Sequence, residues 1–543
     1  TGNAVEFQAD DFRHGLAGIG TRVTVSNAAL SITADSTGNA ALVMVNDNGA
    51  PGPLLDLAAA TGATFTVPRS ASSVDWGNYS LGIGEVDLVL PTAGNTIFTS
   101  DLGVGFFQTI VTAGSGTVSI SAPQSALFNS LVVASGANFE FATPGATPQG
   151  VRLSNTTLIT GNGDVRFGAV QNVNSSVLGN TTTPARWVEY ASTDAAAALA
   201  LNGSTIDAGT GQIVGGGAGR GTGSGGGVEI FQSNLNARQI TLAGRSDTEI
   251  GLLVDGSTLF ADRVMKLDGL SAGTSLNLGA GLYVFQGSTL QVLDAASNTG
   301  SQLALSGQNI AGYVGVQLEG GDAGTANETR LIVSGAALDI RGDGPVSGGA
   351  GVVMTGTASA PGGLLVNALG ATSVLIDGST SSGSGGGLKM QYATVLGAQA
   401  TGTAPMLLRS SGQQVNGAPA LLIDNSTITT GGTLTVQGDG MIVSSSGLTG
   451  ESGVSLLSNT GAGAPAAGPV LLDANIIMAT APGAQVLVQG TAGDAVRGDA
   501  SFQGGTGVTL TNGNGISAGA GGSIVVRGQG AATGGTGVDF SRS

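Results

Sequence analysis

Apolar and polar residues alternate with period two along most of this chain, and glycine cuts the alternation into short runs. Many runs share one phrase, glycine followed by apolar–x–apolar: Gly227-Val228-Glu229-Ile230, Gly251-Leu252-Leu253-Val254, Gly281-Leu282-Tyr283-Val284, Gly315-Val316-Gln317-Leu318 and Gly351-Val352-Val353-Met354. It returns at Gly387-Leu388-Lys389-Met390, Gly453-Val454-Ser455-Leu456, Gly507-Val508-Thr509-Leu510 and Gly537-Val538-Asp539-Phe540. Such runs of Val, Ile, Leu and Thr predict strands, and nothing carries the 3.6-residue stripe of an amphipathic helix. Several successive intervals of about 24 to 36 residues lie in the range where self-similarity marks a repeat architecture.

A second phrase predicts a corner: Leu201-Asn202-Gly203-Ser204-Thr205, Val254-Asp255-Gly256-Ser257-Thr258, Phe285-Gln286-Gly287-Ser288-Thr289, Ile376-Asp377-Gly378-Ser379-Thr380 and Ile423-Asp424-Asn425-Ser426-Thr427. Gly and Asn accept the positive φ of a tight corner, and Ser and Thr can bond the local backbone or their equivalents one coil on. Together the two phrases predict an all-β fold, a right-handed parallel β-helix (solenoid) with protruding Gly-rich loops at 215–227, 381–387 and 460–468. With strands about 4.8 Å apart and about 20 to 25 residues per coil, the rod is expected to be on the order of 100 Å long.

Composition changes this picture little. Glycine supplies 96 of 543 residues, but a hydrophobic share of 41% is too high for a chain unable to bury a core. Two segments of one continuous solenoid are expected. Residues 1–200 form an aromatic-rich cap and first coils, with ten of the fifteen phenylalanines and both tryptophans, and residues 201–543 form regular coils. The bulky rings either close a wider lumen or form an exposed protein-binding cluster of Trp76, Tyr79, Phe106 and Phe107, with Trp187 beside it in the candidate set.

Charge and chemistry mainly exclude. A net charge of −17, with no basic run, disfavours nucleic acid and anionic membranes. No cysteine is present, so disulfides, thiolate catalysis and cysteine-bound metal are ruled out. No run of 18 apolar residues and no leader-like segment occurs, and Thr1-Gly2-Asn3-Ala4 resembles a processed end. Gly269-Leu270-Ser271-Ala272-Gly273 and Gly515-Ile516-Ser517-Ala518-Gly519 match a nucleophile elbow in letters, without its strand-to-helix context. The single histidine, His14, has no serine-protease segment to serve. No P-loop, calcium repeat or metal cluster is found, Asp255 and Asp377 are read as corner residues, and neither catalytic residues nor a cofactor are expected.

Two Arg-Gly-Asp triplets stand out, Arg341-Gly342-Asp343 and Arg497-Gly498-Asp499. One reading places them at a turn shared with Val436-Gln437-Gly438-Asp439-Gly440 and Val526-Arg527-Gly528-Gln529-Gly530. The other is integrin recognition on an exposed turn.

The repeated glycine-led strands, the Gly/Asn-Ser-Thr corners, the absence of cysteine and the Arg-Gly-Asp triplets resemble a pertactin-type autotransporter passenger, over nearly the whole chain. The chain departs from pertactin itself in lacking proline-rich Gly-Gly-x-x-Pro repeats, and the family's C-terminal outer-membrane barrel is not among these 543 residues. The resemblance implies a monomeric, non-enzymatic virulence factor at the Gram-negative cell surface or released from it. It further implies a host partner: a plasma complement regulator, the serpin C1 inhibitor, captured through the N-terminal coils in immune evasion. The alternative is an adhesin that binds an integrin.

Overall fold

The computed structural model describes residues 5–9, 22–36, 42–46, 54–70, 79–144, 148–171, 197–220, 226–273, 279–311, 313–321, 327–344, 349–358, 363–380, 386–398, 404–410, 419–458, 469–491, 505–530 and 535–540. Backbone contacts divide the chain into two units, Thr1–Thr248 and Glu249–Ser543. Both are parallel β-helices, and among the described residues there is no helix.

In the first unit each coil contributes a strand to three faces. The first face stacks Leu81–Gly84, Gly103–Phe107, Gln124–Phe128, Gly150–Ser154, Leu199–Asn202 and Val228–Phe231, all in parallel. After a corner, the second face stacks Asp87–Val89, Ile110–Ala113, Leu131–Ala134, Thr157–Ile159 and Thr205–Asp207. The third stacks Thr96–Ser100, Thr117–Ser121, Asn138–Ala142, Val165–Gln171 and Gln212–Gly219. Period-two alternation sends every second side chain inward, so in-register stacking builds columns of like residues down the lumen. One column runs Ile83, Phe106, Leu127, Leu153, Leu201, Ile230. The bulky filler expected of the first coils is present. Phe65 stacks on Phe98 at 4.8 Å, Phe98 meets Phe106 edge-on at 5.2 Å, and Phe141 stacks on Phe167 at 5.3 Å.

The second unit repeats the plan with aliphatic filling. Its first-face column runs Leu252, Leu282, Val316, Val352, Leu388, Leu421, Met441, Val470 and Val508. The glycine-led phrases begin the first-face strands in both units, with one exception. Gly453–Leu457 lies between Thr433–Gly438 and Gln485–Thr491 on the third face. Coil length varies more than expected: Ser426 bonds its equivalent 20 residues on, whereas Thr156 bonds Ser204 48 residues on. Of the expected glycine loops, 215–219 lies inside the strand Gln212–Gly219, while 221–225, 381–385 and 460–468 lie outside the described residues.

The corner after the first face is built as the second phrase predicted. Asn129, Asn155, Gly203, Gln232, Gly256, Asn425 and Ser445 all have positive φ there. The next residue points a hydroxyl or amide inward, and the backbone N–H of one coil donates to that group in the following coil. Thr156 N donates to Ser204 Oγ at 3.2 Å and Ser204 N to Ser233 Oγ at 3.0 Å. In the second unit the ladder runs Ala393 N to Ser426 Oγ, Ser426 N to Ser446 Oγ, Ser446 N to Asn475 Oδ1 and Asn475 N to Asn514 Oδ1, at 3.2, 3.1, 3.0 and 2.9 Å. An orphaned buried donor costs about 1–3 kcal/mol, so each rung stabilises the corner above it.

The other corner, where the third face ends and the next first face begins, is a pinch between two backbones. A Cβ added to Gly342 would stand 1.9 Å from the carbonyl oxygen of Gly351, the glycine that opens the next phrase. A Cβ on Gly378 would stand 1.8 Å from the oxygen of Gly387 in the same relation. Gly269, Gly307, Gly342 and Gly378 are register partners, so the pinch propagates from coil to coil. Ile376-Asp377-Gly378-Ser379-Thr380 therefore belongs here, inside the strand Ser373–Thr380, and is no corner of the second type. Only the letters are shared.

One turn in the second unit carries a titratable group. The buried Asp294 carboxylate accepts from Ala296 N at 3.1 Å, Asn298 N at 2.8 Å, Asn298 Nδ2 at 2.9 Å and the Ser301 hydroxyl. Those bonds, the Ser301 hydroxyl first, hold its pKa at about 2.

Two outcomes follow from these geometries. Gly342→Ala should lower the unfolding free energy by about 3 kcal/mol, at the upper end for overpacking, because rigid backbone must give way. Gly447→Ala, where nothing lies within 4 Å of the added Cβ, should stay within about 0.5 kcal/mol in the same urea titration. The depressed pKa of Asp294 stabilises the fold above the unfolded value near 4 and is lost as pH falls from there through about 2. The gap in urea midpoint between wild type and Asp294→Asn should therefore be constant at neutral pH and close across that acid window.

Candidate protein-binding surfaces

Of the aromatic residues named from sequence, the three that are described, Tyr79, Phe106 and Phe107, are buried. Phe106 is 3% exposed and faces the lumen, while Tyr79 and Phe107, at 5% and 4%, lie buried against the outer side of the first face. Phe107 stacks on Phe128 at 5.4 Å and meets Tyr79 edge-on at 5.5 Å, and Val43 and Ala126 complete the cluster. The rings rest on small residues, for a Cβ on Gly105 would fall 2.5 Å from Phe107 Cε2. The bulk counted as a contact surface is spent on packing, inside and outside the first face. Trp76 and Trp187 lie outside the described residues.

The same unit does expose apolar side chains, on its second face. Ile110, Leu131 and Val133 are 48%, 39% and 39% exposed. Register brings them together: Ile110 is opposite Leu131, Thr112 opposite Val133, and Val133 opposite the half-buried Ile159. Asp87 and Thr157 bound the Ile110–Leu131 column, and Ile97, 41% exposed, stands on the third face. The inward residues of these strands, Val111, Ala113, Val132 and Ala134, are buried, so both sides of the strands are apolar. The signal was in the sequence: Ile110-Val111 and Leu131-Val132-Val133 break the apolar–polar alternation that an outward face otherwise keeps. Apolar side chains gathered on an outward face are the kind of feature that interaction surfaces use when the patch is large.

The first Arg-Gly-Asp triplet sits in the middle of a ladder. Arg341, Gly342 and Asp343 lie inside the strand Ala337–Gly344, opposite Ser306, Gly307 and Gln308 on one side and Asp377, Gly378 and Ser379 on the other. Arg341 Nε donates to Asp339 Oδ1 at 2.8 Å, and Asp343 accepts from Gln308 Nε2 and Ser379 Oγ, each at 3.2 Å. The expected turn is absent, because the glycine serves the backbone pinch and holds the triplet extended. Arg497, Gly498 and Asp499 lie outside the described residues.

Other titratable groups serve neighbouring coils. Asp377 forms a two-bond pair with Arg409, one bond being Nε to Oδ1 at 3.0 Å, and the pair raises the Arg409 pKa. Tyr283 donates to Glu319, and burial, then that carboxylate, push its pKa up. Burial raises the pKa of Asp255 at its corner. Ser271, in one elbow-like segment, is fully buried and donates to the Glu249 carbonyl. Ser517 sits within the strand Gly515–Ala518. His14 lies outside the described residues. Among the described residues no group of three His, Cys, Asp or Glu is placed to hold a metal ion.

Compared with family models, curated proteins and solved structures, the chain matches none.

With the triplet extended and pinned, Asp343→Glu should leave integrin-dependent cell attachment to the immobilised chain unchanged. Arg341→Lys should shift stability by no more than about 0.5 kcal/mol, the size of an exposed ion pair. Attachment counts and urea midpoints read the two effects.

Proposed function

We propose that this chain is the β-helical passenger of an autotransporter-type surface protein of a Gram-negative bacterium, and that it acts by capturing a host protein without catalysis. The observation that carries the reading is the Ile110–Leu131–Val133 patch, an apolar surface on regular strands of the first unit. A rigid sheet holds those side chains in place before a partner arrives, which lowers the ordering cost of binding. A ladder-built, cysteine-free coil suits export in an unfolded state and stepwise stacking on emergence, since each coil is completed by its neighbour. The partner expected first is a plasma complement regulator of the serpin class, C1 inhibitor, met at the cell surface or by released passenger.

The test is capture from human plasma by the intact chain, with bound protein identified by mass spectrometry, beside a Leu131→Asp/Val133→Ser variant. One dominant plasma protein on the wild type is expected, with affinity reduced about 30-fold in the variant, the loss of a contact worth about 2 kcal/mol. Both changes lie on an outward face, so circular dichroism and the urea midpoint should match wild type. Equal capture by the two, or none by either, overturns the reading.

A further inference from the structure

We infer that the outer rim of the first face in the second unit carries a receptor site for an arginine side chain of a basic peptide, built from Tyr283, Phe285, Asp255 and Glu319. Asp255, Phe285 and Glu319 directly follow Val254, Val284 and Leu318, which are register partners in three successive coils. Those three fill the lumen, so the residues after them project outward in one column, with a carboxylate on each side of the phenylalanine. The backbones of Asp255 and Glu319 are thus about 10 Å apart, twice the strand spacing. Tyr283 stands two residues before Phe285 on the same side, and the rings meet edge to face, with centroids 5.4 Å apart and planes at 82°. All four residues are half-buried, so each keeps surface open to a ligand.

The chemistry of these groups fits a guanidinium. Ring faces attract an organic cation through their quadrupole, and an arginine can lie on a ring while its fork meets a carboxylate. Glu319 is held in place for that role, accepting from the Tyr283 hydroxyl, from Gln317 Nε2 at 3.3 Å and from Gln286 Nε2 at 3.5 Å. Burial first, then the bond and charge of Glu319 and the charge of Asp255, push the Tyr283 phenol up, and no positive group opposes them. Burial likewise raises Asp255, with neither a hydrogen bond nor a cation acting against it. Elsewhere in the unit Glu328, Asp339 and Asp377 are paired with Arg330, Arg341 and Arg409. Among the described residues, no arginine or lysine of the chain fills that place at Asp255 and Glu319. A half-buried negative field without a counter-charge is relieved by a guest cation, and a net charge of −17 draws such a guest in.

The inference goes beyond partner capture through the first unit and stands if that reading fails, because it concerns the other unit and is read with a defined probe. The experiment is calorimetric titration of the full chain, at fixed ionic strength, with a capped arginine-containing peptide and its citrulline counterpart, which keeps the shape and lacks the charge. Saturable binding of the arginine peptide only is expected. Phe285→Leu, which keeps the apolar bulk without the ring face, should weaken it about two- to fivefold. Asp255→Asn should weaken it about fivefold, whereas Asp268→Asn, the same change of charge on the third face, should leave it unaltered. Should the variants fail to fold, the ring resonances of Phe285 in wild type must shift with the arginine peptide alone. Equal binding of both peptides, no binding by wild type, an unchanged affinity in Phe285→Leu or Asp255→Asn, or an equal loss in Asp268→Asn would each overturn the assignment.

Discussion

Two backbones pass at contact distance at the corner where many coils of the second unit close, at Gly269, Gly307, Gly342 and Gly378 among others, and much of the architecture follows from what that corner admits. Only glycine fits on either side, as the 1.9 Å approach of a Gly342 Cβ to the Gly351 oxygen makes plain. Repeating the pinch in register aligns one coil with the next, and alignment stacks the inward residues into columns. The opposite corner completes the device, with a positive-φ residue followed by a side chain that accepts the N–H of the coil before it. Corner chemistry thus sets the register, and the register decides which side chains meet outside.

Much of this was legible in the sequence because corners tolerate few residue types. The glycine-led phrase located the first-face strands, and the Asn/Gly-Ser-Thr phrase located the hydroxyl ladder. Errors arose where one string of letters serves two corners. Asp377-Gly378-Ser379 resembles Asp255-Gly256-Ser257, yet Gly256 has positive φ while Gly378 lies in a strand. The Arg-Gly-Asp triplet does share its corner with the Gly438 and Gly528 segments, as one reading had it, but its glycine is required by the backbone of Gly351 and not by a turn of its own.

The binding surfaces were less legible, because they depend on which side of a strand faces out and on what then covers it. Aromatic residues drew attention through size, but large side chains are also the best lumen filler, and Phe65, Phe98 and Phe141 are fully buried. The Ile110 patch was readable as broken alternation. The grouping of Asp255, Phe285 and Glu319 was not readable at all, since the three are far apart along the chain. They meet only once the register sets them at one position of three successive coils.

Arginines of both units are matched to nearby carboxylates, Arg166 to Asp164 and Arg245 to Asp247 in the first unit. In the second unit, Arg341 and Arg409 are matched to carboxylates on the same or the adjoining strand, while Arg263 Nε is buried without a hydrogen-bond partner. In the first unit, Arg152 is buried with its Nε and Nη2 unpartnered, while a neighbouring face exposes Ile110, Leu131 and Val133. A solenoid that needed only to be long and stable would gain nothing from an unpaired buried cation or from unpaired apolar side chains. Both features lie on outward positions that the lumen and corners leave unconstrained. Departures of this kind occur in both units, for Ile310 and Ile476 are exposed in the second and Arg263 Nε is unpartnered there, and they fall where the fold itself does not dictate the residue.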